Sequence, residues 1–341
     1  MYDILHFALF YAGVAAPVCD TLKKPGLATG LKKRSLAMKT YNVISLGGGV
    51  QSTVLVLLSL HDIIERADCA VFADTGWERK ATYENVEKLR GYAKDFDFPI
   101  HTVYGETANG YRNIREELLN PKHNNFVKIP TYYEGGGKKG QMKRECTNDY
   151  KQVPIKKFML SHFEKGAMIY SWIGISLDEA KRMSSRQDHR RIKKRYPLVE
   201  LRWSRAKCLE WLKESGFGIP SKSSCIGCPF HSKGSWLALN KEEQQDAIEV
   251  DEQIRDMHKS RTGRMRSKPT HKDQVEAFDL TGLSEKNDSL SPNEGVFSSE
   301  TTLYLHSQRV PLKEFFAEPD AYQAELFDLE DESGCVGNCF T

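Results

Sequence analysis

Residues 45–53 read Ser-Leu-Gly-Gly-Gly-Val-Gln-Ser-Thr and separate two apolar segments. The segment before them, 41–44, suits a short β-strand, and the one after them, 54–60, suits a helix. Glycines let backbone N–H groups approach an anion closely, and a helix N-terminus attracts negative charge. Ser52 and Thr53 add hydroxyl donors. This segment therefore predicts a phosphate cradle, and it is not a Walker loop because no lysine follows the last glycine at the required position.

The residues that follow predict the kind of sheet that carries this cradle. Residues 70–73 are apolar and lead into Asp-Thr-Gly at 74–76, residues 80–96 are amphipathic, and residues 98–103 again suit a strand. Strands that alternate with helices predict a Rossmann-like α/β fold with a doubly wound parallel sheet. Because ligands of such sheets bind beyond the carboxyl ends of the strands, the glycine loop and Asp74 are expected at one crevice.

Composition and cysteine spacing limit the functional classes. The chain has 341 residues, a formal net charge of +3 and eight cysteines. It has no apolar run long enough to span a bilayer, so we expect no membrane partner. Cys225 and Cys228 form a C-x-x-C pair, and Cys335 and Cys339 form a C-x-x-x-C pair. Since nothing else is typical of a secreted protein, we expect a cytoplasmic protein with reduced thiols and a metal centre instead of disulfides.

The chain divides into three segments. We expect residues 1–37 to be a disordered or overextended N-terminus, with Met38 as the natural start, because their apolar run has no positively charged segment before it. Residues 38–220 are predicted to form a nucleotide-binding domain, and residues 221–341 a cysteine-bearing helical part. Within that part, residues 261–300 are rich in polar residues and predict a long loop or partly disordered insertion.

Two motifs carry a resemblance to a known family. Residues 47–52 resemble the PP-loop of the adenine-nucleotide alpha-hydrolase superfamily. Residues 72–76, followed by Thr-Tyr-Glu at 82–84, resemble the second motif of phosphoadenosine phosphosulfate (PAPS) reductases. The resemblance extends from about residue 42 to the C-terminus, apart from a poorly matching stretch near 261–300. It implies a Rossmann-like fold with a PP-loop that binds an adenine nucleotide.

The resemblance also implies a set of site residues. The usual PP-loop has Ser in place of Gly47 and Asp in place of Gln51, so an amide here replaces an acid near the phosphates. Mg²⁺ is expected to accompany ATP because the metal offsets phosphate charge. The candidates for nucleotide binding are Ser45, Gly47, Gly48, Gly49, Ser52, Thr53, Asp74, Thr75, Gly76 and Gly174. The candidates for catalysis are Gln51, Ser52, Asp74 and Arg182, the last because family members meet the phosphates with a Gly-x-Arg-like segment here.

Cysteines supply the candidate metal ligands. A glycine between Cys225 and Cys228 lets both sulfurs point at one ion, and thiolates favour zinc or iron–sulfur clusters. The best third ligand is Cys146, and the fourth is Cys335 or Cys339. Sulfonucleotide reductases with a four-iron cluster use a Cys-Cys pair and a later C-x-x-C, which resembles this arrangement except that a glutamate precedes Cys146. We expect a [4Fe-4S] cluster, with Zn²⁺ or free thiols as the alternatives.

Two other segments have a distinctive composition. The segment 181–207 contains eleven lysines and arginines against Asp188 and Glu200. Such a run is typical either of a surface that contacts a nucleic-acid backbone or of a solvated helix face. The segment 135–140 contains four glycines and is predicted to be a flexible loop over the cleft.

These features leave three functions open. The first is an enzyme that activates an acceptor with ATP, forming AMP and pyrophosphate, and then transfers sulfur to it; the basic segment 181–207 favours a nucleic acid as acceptor. The second is a sulfonucleotide reductase that releases sulfite, which the motif at 74–76 favours and the absence of a C-terminal Glu-Cys-Gly-Leu-His motif opposes. The third is a nucleotide-binding regulatory protein. Either enzyme would need a sulfur donor or a reductant protein as partner.

Overall fold

The structure is a computed structural model. It describes residues 38–106, 110–119, 129–186, 189–255 and 301–322. The predictions for residues 1–37 and 261–300, and for Cys335 and Cys339 as metal ligands, lie outside these ranges. Among the residues inside them, no helix combines the length and the apolar character needed to cross a membrane.

The strands of the described residues form two sheets. They are β1 (Thr40–Leu46), β2 (Cys69–Asp74), β3 (Ile100–Tyr104), β4 (Tyr132–Gly135), β5 (Lys138–Gln141), β6 (Met168–Ile173), β7 (Ile192–Arg195) and β8 (Thr302–Tyr304). The larger sheet has the order β3-β2-β1-β6-β7, and all its strands are parallel. The smaller sheet has the order β5-β4-β8 and is antiparallel. The predicted parallel sheet is therefore confirmed.

The helices connect these strands. They are α1 (Val50–Leu60), α2 (Lys80–Lys94), α3 (Ile114–Leu119), α4 (Val153–His162), α5 (Pro197–Glu200), α6 (Arg205–Glu214), α7 (Lys233–Leu237), α8 (Lys241–Ile254) and α9 (Leu312–Ala317). A π-helical turn, Asn148–Gln152, precedes α4, and a 3₁₀ helix, Leu177–Arg182, follows β6. Every residue of α1 is buried, which explains why its sequence is a nearly continuous apolar run without a polar stripe.

Helices cover both faces of the parallel sheet. Ile44 and Phe72 point to one face, where they pack with residues of α1, α2 and α6. Val43 and Val71 point to the opposite face, where they pack with Ile155 of α4 and other residues. Alternate residues of each strand thus enter two different cores, as the period of a β-strand requires. The sheet is doubly wound, as predicted.

The order of the strands reverses between β1 and β6. These two strands pair in parallel from Thr40 against Met168 to Ser45 against Ile173. The chain continues from β1 to β2 and β3 on one side, and from β6 to β7 on the other. A crevice forms at such a switch point because the two connections leave the sheet in opposite directions.

A second core lies next to this sheet. It contains Trp77 and Tyr150 from the first part of the chain and Trp236, Leu303 and Phe315 from the last part. This core therefore draws residues from both sides of position 220. Its packing fixes the C-terminal helices against the loops at the carboxyl edge of the parallel sheet.

The prediction of a flexible loop at 135–140 is wrong. These residues belong to the hairpin of β4 and β5, whose turn contains Gly136 and Gly137 at φ values of +56° and +75°. Two adjacent residues with positive φ are typical of a tight hairpin turn that matches strand twist, which glycine allows at no steric cost. Strand β4 also pairs with β8, which lies far away in the sequence.

Asp251 attaches the last described segment to α8. One of its carboxylate oxygens accepts a bond from the Leu305 backbone N–H at 2.9 Å, and the other accepts from the Leu312 backbone N–H at 3.0 Å and from Arg255. The Asp251 side chain is 1% exposed. Substitution D251A should therefore lower the free energy of unfolding by about 3 kcal/mol, because it leaves buried donors and an arginine without their acceptor.

Urea denaturation monitored by circular dichroism measures this change. The control is E252A, which removes a neighbouring carboxylate of α8 that is 52% exposed and lies 3.8 Å from Lys313. The control should change the free energy of unfolding by less than about 0.5 kcal/mol. Equal stability of the two variants would show that Asp251 does not hold this segment.

Candidate functional site

A cavity opens at the switch point between β1 and β6. Three kinds of residue line it. The first kind comes from the glycine loop and the strand ends: Ser45, Gly47, Gly49, Gln51, Ser52, Thr75 and Gly174. The second kind is cationic: Arg144, Lys151, Arg182, Arg205 and Lys222. The third kind consists of the thiols of Cys146, Cys225 and Cys228.

The glycine loop is fixed in a conformation suited to an anion. The Ser52 hydroxyl accepts a bond from the Gly47 backbone N–H and donates one to the Gly49 carbonyl, both at 3.2 Å. Gly48 has φ +74°, a conformation that strongly favours glycine. Gly49 is the N-cap of α1 and provides no side-chain acceptor for the first N–H groups of the helix. These N–H groups are oriented as they are in phosphate-binding helix termini.

Gly174 brings β6 against this loop. A Cβ atom at position 174 would lie 2.9 Å from the backbone nitrogen of Ser52 and 3.1 Å from its Cα. The neighbour is backbone, so it has no side-chain rotamer by which to move away. A glycine is therefore needed at position 174 if the strand end and the cradle are to stay in contact.

Gln51 connects three charged groups at the cavity wall. Its side-chain carbonyl accepts a bond from Arg205 Nη1 at 2.9 Å, and its amide NH₂ donates to Glu179 Oε2 at 2.9 Å. The other oxygen of Glu179 accepts from Arg182 Nη1 at 2.5 Å. An amide suits this position because it can accept from the guanidinium and donate to the carboxylate at once, whereas a carboxylate would repel Glu179.

Four predicted nucleotide-binding residues do not line the cavity. Gly48 and Gly76 shape turns, with φ values of +74° and +69°. Thr53 is fully buried, and its hydroxyl accepts a bond from Asn85 at 3.0 Å. Asp74, which was also a catalytic candidate, accepts bonds through Oδ1 from the Gly76 N–H at 2.7 Å and the Tyr83 hydroxyl at 2.8 Å. Asp74 therefore organises the turn that places Thr75 in the cavity wall.

Sequence reasoning missed Glu78 and Lys151. The Glu78 side chain is 1% exposed, and its Oε1 lies 2.9 Å from Lys151 Nζ. Thr75 donates to the same oxygen at 3.1 Å, and the Cys225 Sγ lies 3.7 Å from it. Glu78 lies two residues after the motif at 74–76, but only the fold reveals that Lys151 and the cysteine turn reach it.

The C-x-x-C turn is attached to the second motif. Glu78 and Cys225 form an antiparallel bridge, and the Ile226 N–H donates to the Trp77 carbonyl at 2.9 Å. A Cβ at Gly227 would lie only 2.0 Å from the Trp77 ring. The thiol pair is thus held at the cavity by backbone bonds and by close packing against an indole.

The thiols lie around one cavity, but they do not complete a metal site on their own. Disulfide bonds do not involve Cys146, Cys225 or Cys228. Burial, and then the nearby Glu78 carboxylate, raises the pKa of the Cys225 thiol well above its usual value. Within the part of the chain that the structure describes, no group of three or more His, Cys, Asp or Glu is placed to hold a metal ion. A [4Fe-4S] cluster or Zn²⁺ would need a ligand from elsewhere, so the metal centre stays a prediction.

The described wall of the cavity does not fit a Mg²⁺ ion either. Proteins usually hold Mg²⁺ through one or two carboxylates, and water molecules and substrate phosphates complete its near-ideal octahedron. Glu179 is the carboxylate among the described lining residues, and its two oxygens accept bonds from Arg182 and Gln51. Mg²⁺ therefore stays a prediction that these residues do not support.

The basic segment 181–207 does not form one uniform surface. Arg182 and Arg205 line the cavity. Arg191 donates to the carbonyls of Ala167 and Glu164, at 3.0 and 2.6 Å, beyond the end of α4. Ion pairs hold Arg195 to Glu65 and Glu200 and Lys207 to Glu210. Several charges thus serve the fold or the cavity, and contact with a nucleic acid stays a prediction.

Two buried cysteines outside the cavity are core residues. Cys69 lies at the start of β2 and is 2% exposed, and Cys208 lies on α6 and is fully buried. Burial raises the pKa of each thiol to about 12. Both thiols are therefore protonated and unreactive at neutral pH.

Comparison with known proteins gives a distant likeness among solved structures. No protein-family model and no curated protein matches this chain. Among solved structures, the chain is similar to PAPS reductase from Candida auris in its phosphate complex. The two chains share 15% sequence identity over 63% of this chain and 80% of that one, with a TM-score of 0.34. A likeness this distant does not assign an activity.

The contact of Gly174 with the cradle gives a test of nucleotide binding. Substitution G174A should push the end of β6 away from Ser52 and weaken the binding of ATP or PAPS by at least about tenfold, or 1.4 kcal/mol. Isothermal titration calorimetry measures the affinity. The control is G91A in α2, where an added Cβ meets no atom within 4 Å. Equal affinity of G174A and the wild type would show that phosphates do not bind at this cradle.

The thiols give a test of the predicted metal centre. Anaerobically purified protein should contain either about four iron and four sulfide ions or one zinc ion per chain. Substitutions C225S and C228S should abolish that content, whereas C208A, in the main core, should keep it. Wild-type protein without bound metal would contradict the predicted centre and would support the alternative of thiols without a metal ion.

Proposed function

We propose that this protein activates an acceptor with ATP and then transfers sulfur to it. One observation carries the proposal. A glycine cradle suited to phosphates, the cations Arg182 and Arg205, and the thiols of Cys146, Cys225 and Cys228 line the same cavity. Phosphate binding and sulfur chemistry can therefore occur at one place, which a regulatory nucleotide-binding protein would not need.

The first step of the proposed reaction uses the cradle. The backbone N–H groups at the start of α1 bind the β- and γ-phosphates, since they lack side-chain acceptors. Arg182 and Arg205 offset charge on the leaving pyrophosphate. An oxygen of the acceptor attacks the α-phosphorus, the bond between this phosphorus and the bridging oxygen to the β-phosphate breaks, and adenylated acceptor and pyrophosphate form.

The second step uses sulfur supplied by a partner. A sulfur donor protein provides a persulfide, whose terminal sulfur attacks the adenylated acceptor and displaces AMP, which leaves the acceptor joined to the donor by a disulfide. A second thiol of the donor protein then attacks the donor sulfur of this disulfide, so that the thiolated acceptor leaves and the two donor thiols are oxidised to a disulfide. The acceptor we propose is a nucleic acid. The remaining cations of the segment 181–207 support this choice, among them Lys193 and Lys194 on β7, the edge strand of the sheet. Because β7 is the edge strand, one of its sides has no neighbouring strand in the described sheet.

A second candidate is a sulfonucleotide reductase. A specific observation favours it: Gln51 brings no acid into the cradle, and the described wall does not fit Mg²⁺. In this reaction a thiolate attacks the sulfate sulfur of PAPS, the sulfur–oxygen bond to the phosphate breaks, and the resulting thiosulfonate is reduced by a dithiol protein to release sulfite. Cysteines at the cavity are placed to take part.

Product analysis separates these candidates. Anaerobically purified protein is incubated either with ATP, magnesium and a persulfide donor or with PAPS and reduced thioredoxin. We expect pyrophosphate and AMP in the first mixture, formed faster when tRNA or DNA is added, and no sulfite in the second. Sulfite without pyrophosphate would identify the reductase. Nucleotide binding without either product would favour the regulatory protein.

A further inference from the structure

Arg205 reaches the phosphate cradle from a neighbouring helix. It is the first residue of α6, and its guanidinium lines the cavity beside Gln51. Its Nη1 donates to the Gln51 side-chain carbonyl at 2.9 Å, and its buried Nε has no hydrogen-bond partner. Within the described ranges, no carboxylate lies within ion-pair distance of this guanidinium, and the Asp178 carboxylate contacts only the Arg205 backbone N–H.

Gln51 is the reason that the charge of Arg205 is not neutralised. The amide holds the guanidinium in place but carries no charge of its own. A carboxylate at position 51 would form an ion pair with Arg205, and it would lie beside the Glu179 carboxylate, which now accepts from the Gln51 amide at 2.9 Å. The usual PP-loop has an aspartate at position 51, and this chain has an amide there. The amide leaves the charge of the Arg205 guanidinium available to a ligand.

The one acid among the described lining residues of the cavity is already engaged. Glu179 pairs with Arg182 at 2.5 Å and is 10% exposed. A metal ion at this carboxylate would therefore compete with the Arg182 guanidinium, whose charge it would oppose. A nucleotide in this cavity meets guanidinium groups and backbone N–H groups, which bind phosphate oxygens directly and, for a guanidinium, in bidentate fashion.

We propose that Arg205, held in place by Gln51, binds a phosphate oxygen of the nucleotide directly, so that nucleotide binding does not require Mg²⁺. The inference rests on the proposed function in one respect, namely that the ligand of the cavity is a nucleotide. It goes beyond that function in naming the residue that replaces a metal in binding. The proposal concerns only the affinity for the nucleotide. A later chemical step can still use a metal ion from solution.

Calorimetry with and without metal tests this inference. ATP and PAPS are titrated separately into the full chain, once with EDTA and once with MgCl₂. For the nucleotide that binds, the wild-type affinity should agree between the two conditions within about threefold. Substitution R205Q should weaken binding at least about tenfold in both conditions, because a charge-assisted bond is lost. The control is K213Q, an exposed position at the other end of α6.

A second variant separates charge from shape. Substitution Q51E keeps the length of the side chain but neutralises Arg205, so it should weaken binding in EDTA more than in MgCl₂. Thermal denaturation shows whether each variant is folded. Wild-type binding that needs Mg²⁺, or R205Q binding like the wild type, would overturn the inference while leaving the proposed function intact. Absence of nucleotide binding in both conditions would contradict both.

Discussion

The contact between Gly174 and the backbone of Ser52 determines where the site lies. Strands β1 and β6 are neighbours at the point where the strand order reverses, so their carboxyl ends share one crevice. A Cβ atom at position 174 would lie 2.9 Å from the Ser52 backbone nitrogen, so the missing side chain lets the end of β6 pack closely against the first turn of α1. The cradle consequently has one wall of glycine backbone and one wall of polar side chains, with room for an anion between them.

The thiols depend on the same frame through a second set of contacts. The turn that follows β2 forms a backbone bridge between Glu78 and Cys225, and the Trp77 ring packs against Gly227. Thr75 lies in the same turn and lines the cavity. The backbone bonds of this turn to the cysteine segment mean that a movement of β2 would also move the cysteines. This coupling holds the thiols of the C-x-x-C pair in the same cavity wall as the glycine loop.

Much of this arrangement could be predicted from the sequence because it depends on local signals. The strand, glycine loop and helix around 45–60 follow from glycine positions and apolar runs. Other features depend on contacts between distant segments. The pairing of β4 with β8 joins residues about 170 apart, and Lys151 reaches Glu78 only through the packing of the π-helical turn. Asp74 has the sequence context of a site residue, but local bonds to Gly76 and Tyr83 use its carboxylate for the turn.

A crystal structure of the full chain with intact ATP bound tests most directly whether the glycine loop and Gly174 form a phosphate site. We expect the phosphates to contact the backbone N–H groups of residues 47–52, with the Arg205 guanidinium at a phosphate oxygen and Gln51 beside it. Phosphates bound elsewhere on the protein, or a nucleotide held at this edge by its base alone with the cradle closed, would contradict the central claim that the glycine loop and Gly174 form a phosphate site.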